Sequence, residues 1–259
     1  MRTIAFALLF GVAQAPPAFE TASVKPNPSP TCDRDGSMAG GRFIMTCATL
    51  RELMIVGYPR DKSGRSRADN EFAGGPSWQT TDRFDITAKV PEGRGTTFDT
   101  GNTAAASVTA SQASAALRIR EMLQPLLAER FKLAVHHETR NLPVYELRVD
   151  RKDGRPGPRL KKVDGTPRGF KTMGPGHFVG SAATLAMLAQ FLEPSVSRNV
   201  IDRTGLQGAF DLELEYAPTD PAGVSVFTAL KEQLGLKLES TKAPIDVLVI
   251  DHADKPTPD

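Results

Sequence analysis

The chain has 259 residues, with 32 Lys and Arg against 30 Asp and Glu, a net charge of +2 and 24% charged residues overall. That balance excludes the basic field of a nucleic-acid binder or of a protein held on an anionic membrane surface. Neither the spacing of the two cysteines nor neighbouring histidines suggests a structural zinc site, which needs four ligands, and the length suffices for two packed units of about 100 residues each.

Residues 1–15 read as a signal peptide. Arg2 precedes an apolar run from Ile4 to Val12, and Ala13-Gln14-Ala15 has the small-x-small pattern of a signal-peptidase site. Export to the periplasm or beyond the cell is the expectation. Pro16 disfavours a cut directly before it, which leaves an uncleaved anchor or a shifted cut as alternatives. The run is shorter than the roughly 20 apolar residues that span a bilayer, and no other stretch approaches that length, so the mature chain is expected to have no transmembrane segment. In an exported chain an even cysteine count points to a disulfide between Cys32 and Cys47, with two buried free thiols as the other reading.

Ala18 to Val24 alternates apolar and polar residues and stops at Pro26, as an edge strand does, and Pro26, Pro28 and Pro30 then form a loop into Cys32. A strand over Gly41 to Met45 leads to Thr49, spaced from Glu52 as in a capping box. Leu50, Leu53 and Met54 then share one face of a short buried helix. Phe84, Ile86, Ala88 and Val90 alternate with Asp85, Thr87 and Lys89, giving a strand with one core face and one wet face. Residues 93–114, rich in Gly, Thr, Ala and Ser, read as a flexible excursion. A second helix carries Leu123, Leu126, Leu127 and Phe131, with Pro125 predicting a kink or a late start. Two strands close this half, Lys132 to Glu138 and Pro143 to Val149.

Residues 151–172 are basic and rich in Pro and Gly, which predicts a solvated linker, with an anionic partner site as the lesser reading. Beyond them the pattern recurs. Gly176-His177-Phe178 runs into Ala183-Thr184-Leu185 as Gly41-Arg42-Phe43 runs into Ala48-Thr49-Leu50, and Phe210-Asp211 answers Phe84-Asp85. Leu185, Leu188, Ala189 and Leu192 repeat the helical stripe behind a Thr184 cap that has Met187 in place of the glutamate. Phe210, Leu212, Leu214 and Tyr216 alternate with acids, and Phe227, Leu230 and Leu234 mark a helix between a Ser225 cap and Gly235. Two strands again follow, Leu236 to Glu239 and Ile245 to Ile250, the second apolar enough to be central. The fold class is therefore α+β: an internally duplicated unit of mostly antiparallel strands with two helices per copy, over residues 16–150 and 173–254.

Longer motifs carry a resemblance. These are Phe19-Glu20-Thr21-Ala22-Ser23-Val24-Lys25-Pro26, Gly74-Gly75-Pro76-Ser77-Trp78, Leu126 to Leu133, Ile201-Asp202-Arg203-Thr204-Gly205-Leu206, Phe227 to Leu238, and Val247 to His252. In them the chain resembles the soil-associated exported proteins defined by a single domain of unknown function. The resemblance implies export and large paralogous sets. It also implies occasional fusion of the domain behind membrane metallopeptidases of the antibiotic-sensing type, with no established activity. This chain departs from those fusions in lacking the His-Glu-x-x-His motif.

Candidate chemistry is sparse. His136 and His137 are adjacent on a strand, where successive side chains point to opposite faces, and Asp251-His252 has no third ligand nearby. Ser225 lies near a nucleophile-elbow pattern whose second glycine is replaced by Phe227. Asp99-Thr100-Gly101 has no second copy, and Asp33-Arg34-Asp35-Gly36 opens a calcium-loop pattern that ends at Ile44 instead of glutamate. The expectation is an exported, non-catalytic binding or interaction module without cofactor or metal. Its partner is an envelope protein, peptide or glycan, and Trp78, Asp202, Arg203 and Asp211 are the candidate partner-binding residues. The alternatives are an envelope hydrolase assembled from Asp202, Asp211 and His177, or an extracytoplasmic sensor domain.

Overall fold

A computed structural model of the chain describes residues 17–29, 31–61, 65–91, 110–150, 156–220 and 222–257. The signal-peptide reading of residues 1–15 falls outside them. In chain order the first half contains β1 (Thr21–Asn27), β2 (Asp35–Ala39), β3 (Arg42–Thr49), α1 (Leu50–Gly57), β4 (Phe72–Gly74), β5 (Arg83–Lys89), α2 (Ala110–Arg130) and β6 (Ala134–Val149). The second contains β7 (Leu160–Val163), β8 (Gly169–Gly174), β9 (His177–Ala183), α3 (Leu185–Val196), β10 (Val200–Asp202), β11 (Ala209–Glu215), α4 (Val226–Ala229), which widens into a π-helical turn over Leu230–Leu234, and β12 (Leu236–His252). No helix among the described residues is long and apolar enough to cross a membrane.

The strands form three four-stranded sheets, mostly antiparallel, and the fold is α+β. The outer sheets run β1-β5-β3-β2 and β7-β11-β9-β8. The central sheet runs β10-β6-β12-β4, with β6 and β12 paired antiparallel along their whole length. Each short strand adds in parallel to the long strand of the other half: β4 sits on β12, with Phe72 opposite Leu248, and β10 on β6, with Val200 opposite Tyr145. Neither half therefore completes its share of the central sheet without the other.

Local devices match between the halves. Cys47 and Ala182 both take left-handed backbone conformations, φ 57° and 46°, at irregularities in β3 and β9. A carboxylate on the neighbouring strand receives each exposed N–H: Asp85 accepts from Cys47 at 2.9 Å and Asp211 from Ala182 at 2.8 Å. The helices that follow are capped as their sequences predict. Thr49 and Glu52 form the reciprocal capping box of α1, and Thr184 alone caps α3 through the Met187 N–H.

Each half has its own core. Phe84, Phe131, Leu50, Leu53 and Leu123 lie in the first, and Leu185, Leu188, Phe210, Leu214 and Leu234 in the second. Cys32 and Cys47 form the disulfide. It ties the 28–35 loop to β3 rather than making the bulge, since Ala182 holds the same conformation without one.

Several sequence expectations are corrected. The stretch read as a solvated linker, 151–172, carries β7 and most of β8 in its described part, which begins at residue 156. A single apolar residue anchors each strand there, Leu160 opposite Leu212 in register and Phe170 stacked on Phe191 at 4.8 Å, so the surrounding lysines mask the signal. Of the excursion read at 93–114, residues to 109 lie outside the described set, and from Ala110 the chain is already α2, which runs on through Pro125. Each pair of closing strands is one long strand, β6 and β12. Their middle stretches are exposed and contain Pro143 and Pro244, so burial periodicity and proline both read as breaks. Phe227 points outward, 43% exposed, and Val226 takes the buried position at the start of α4.

Candidate functional site

The two halves meet along a polar seam. After α1 the chain turns through Tyr58, Pro59 and Arg60, and it enters β4 through a 3-10 turn over Asp69–Glu71. After α3 the matching approach to β10 runs through Ser197, Arg198 and Asn199, and Ser197 ends the helix in a left-handed conformation at φ 50°. β4 and β10 lie at opposite edges of the central sheet, yet their approaches meet, since the side chains of Asn70 and Glu71 both bond that of Asn199.

Arg60 joins them. Its Nε donates to Glu71 Oε2 at 3.0 Å, and Nη1 and Nη2 donate to the two oxygens of Glu193 at 2.9 and 3.1 Å. Asn199 Nδ2 donates to Glu71, Asn70 Nδ2 donates to Asn199 Oδ1 at 3.1 Å, and the Val200 N–H reaches Glu193 at 3.2 Å. The Glu71 side chain is wholly buried, and those of Arg60 and Glu193 are 12% and 13% exposed. Burial pulls the Arg60 pKa down, but the hydrogen-bonded Glu193 and Glu71 carboxylates outweigh it and leave the guanidinium above its ordinary value.

A second buried arginine sits alongside. Arg67 donates to the Tyr58 carbonyl at 3.2 Å, the Asp246 carbonyl at 2.7 Å and Asp246 Oδ2 at 2.5 Å, fixing β12 to the loop. His137 Nδ1 meets the same carboxylate at 2.9 Å. Burial would raise the Asp246 pKa; bonds from Arg67 and His137 reverse that and hold it below the usual carboxylate range.

Above this network opens a cleft of about 550 Å³, with Arg65, Ser66, Asp69 and Asn70 on the wall of the first half and Gln190 and Arg198 on that of the second. The volume lies within the range of ligand pockets, roughly 300–1,000 Å³. Its floor is hydrogen-bonded on both sides, so the walls are pre-set rather than formed by side chains free to fold in.

The residues singled out in the sequence lie elsewhere and apart. Trp78 packs on the first core, stacked on Phe131 at 6.4 Å and edge-on to Phe84 at 6.2 Å, with Lys255 Nζ 5.9 Å from its ring centre. Asp202, at the end of β10, accepts the Thr204 N–H at 2.9 Å and hydroxyl at 2.7 Å, and Arg203 Nε lies 3.8 Å from Glu146. Asp211 caps the bulge in the outer sheet. His177 stands opposite Glu215 and bonds Glu213 at 2.9 Å. That places it four positions along β11 from Asp211, about 13 Å at roughly 3.3 Å per residue. The hydrolase trio of Asp202, Asp211 and His177 is not brought together. His136 and His137 bind separate carboxylates, Asp251 and Asp246, and among the described residues no group of three or more His, Cys, Asp or Glu is placed to hold a metal ion.

Sequence reasoning did not find Arg60, Glu71, Glu193 or Asn199. The one local signal was Glu71 directly before the apolar start of β4, a charge where a strand enters the core. Residues 66–253 match the family described as protein of unknown function, DUF3738. The chain belongs to this family. The match covers the chain from the cleft wall at Ser66 to the end of β12, and agrees with the resemblance read from the motifs in pointing to a domain of unknown function. No curated protein matches the chain, and no solved structure matches it.

Proposed function

We propose that this DUF3738 member is an exported binding module, built by duplication of one α+β unit, that holds its ligand in the cleft at the seam between the two descendants. The observation that carries the reading is a ligand-sized cleft walled by both halves over the buried Arg60–Glu71–Glu193 bridge. Duplication is supported by the shared order of the outer sheets, the exchange of β4 and β10, and the paired Cys47/Asp85 and Ala182/Asp211 bulges. Export is supported by the signal-peptide pattern of residues 1–15 and by the disulfide, which persists in oxidising compartments. Trp78, Asp202 and Asp211 each already have partners within the chain, which favours the seam as the binding face over the surfaces around them.

The test is capture from envelope extract by the purified chain and by a Ser66→Trp variant, whose exposed position on the cleft wall accepts a large side chain. The expected result is recovery of a peptide, glycan or envelope protein by the first and its loss from the second. Equal recovery by both would remove the cleft from the reading.

A further inference from the structure

The charges on the cleft walls point to a ligand class, and the inference rests on the seam reading above. Five charged side chains line the cleft: Arg65, Arg67, Asp69, Glu193 and Arg198. Three are already committed within the protein. Arg65 pairs with Asp61 at 2.8 Å, Arg67 with Asp246 at 2.5 Å, and Glu193 with Arg60 at 2.9 Å. The remaining two, Asp69 and Arg198, have no ion-pair partner among the described residues and carry opposite signs. Asp69 acts on Arg51 only at a distance, where it opposes the lowering of that arginine's pKa by burial. Arg198 is held by the Tyr145 ring, 5.2 Å from its centre, and by a 3.4 Å bond to Ser240, neither of which neutralises it.

Their placement is fixed. Asp69 precedes Asn70 and Arg198 precedes Asn199, and the two asparagines are bonded side chain to side chain at 3.1 Å. Asp69 and Arg198, of opposite charge, therefore line the same cleft from opposite halves. A singly charged ligand would bury one wall charge without a partner, whereas a ligand with both charges satisfies each.

We infer that the cleft takes a short peptide as its zwitterion, with the terminal carboxylate at Arg198 and the terminal ammonium at Asp69. Ser66, Asn70 and Gln190 supply uncharged donors and acceptors for the peptide groups between the ends. A neutral glycan would leave both wall charges unanswered.

The experiment is calorimetric titration of the full chain at low salt with trialanine and with an equimolar tripeptide pool, each with free termini, N-acetylated or C-amidated. Binding is expected with free termini and should weaken at least about tenfold on capping either end, the scale of one charge-assisted hydrogen bond. Arg198→Gln should make the protein indifferent to C-amidation while it stays sensitive to N-acetylation, and Asp69→Asn should do the reverse. Circular dichroism and melting temperature confirm that both variants fold. Equal affinity for free and capped peptides, or no binding of either probe, overturns the inference. Cleft-dependent capture of some other ligand, lost in Ser66→Trp, would then leave the seam reading standing and remove only the zwitterion.

Discussion

Replacing Arg60 by Met tests whether the buried bridge holds the halves together. The substitution removes two ion pairs at once and leaves Glu71, with no exposed side-chain surface, facing only the Asn199 amide and the Ala68 N–H at 3.3 Å. Stranding one partner of a buried pair costs about 3–5 kcal/mol, because the remaining carboxylate must stay charged without a counter-ion or bind a proton. For a chain of this size each kcal/mol lowers the melting temperature by about 2–4 °C, so Arg60→Met should lower it by about 6–20 °C. Urea unfolding and calorimetry at pH 7 measure both quantities. The diagnostic step is the second substitution: Glu71→Gln in the Arg60→Met background should recover at least about 1 kcal/mol, since the amide needs no cation. A loss below about 1 kcal/mol for Arg60→Met, or a double variant no better than the single one, would refute the reasoning.

Three further outcomes follow from the same coordinates. Cys32→Ser with Cys47→Ser should lower stability by about 3 kcal/mol, the chain-entropy value for a closed loop of this length, read from urea unfolding with midpoint and slope both fitted. Gly41→Ala, at φ 71° with open space around the new methyl, should cost only the left-handed strain of about 1–2 kcal/mol. Gly176→Ala, at φ 72°, would drive its Cβ into the Tyr216 carbonyl oxygen and should cost clearly more; equal melting shifts would contradict the packing described. Asp246 and Glu52 are both held below their ordinary pKa, so their contribution is present above the unfolded values of about 3.9 and 4.3 and is lost as pH falls through the lower folded ones. Stability should decline below about pH 4, less steeply in Asp246→Asn; an unchanged slope in that variant would count against the assignment.

Elements with a periodic burial pattern were legible in the sequence. The alternation of Phe84, Ile86 and Ala88 and the Thr49–Glu52 box reappear as β5 and the α1 cap because each is decided by neighbours within a few residues. The middle of β6 and β12 was not legible, because there the strands pair with each other outside both cores and their mostly exposed side chains show no burial period. The lysine-rich β7 and β8 were missed for a related reason, since one apolar anchor per strand, Leu160 buried and Phe170 partly buried, leaves no period to read. The seam was hidden more deeply. Arg60 and Glu193 are 133 positions apart, and nothing local to either distinguishes it from a solvated surface charge.

On the duplication proposed above, the seam is also where such a chain differs physically from a pair of identical subunits. With Phe72 opposite Leu248 and Val200 opposite Tyr145, the exchange of short strands puts Glu71 and Asn199 in corresponding positions, and likewise Asn70 and Arg198, and Asp69 and Ser197. Glu71 here meets its counterpart position, Asn199, so in a symmetric dimer Glu71 would meet its own copy and face a second buried carboxylate, a like-charge contact that only protonation or an extra cation relieves. On the duplication proposed here the two positions were free to diverge, and an amide now stands where the second carboxylate would be, with its Nδ2 donating to Glu71. One arginine then bridges Glu71 and Glu193 together. The same divergence leaves Asp69 on one wall and Arg198 on the other, a polarity across the cleft that two identical subunits related by a two-fold axis cannot produce.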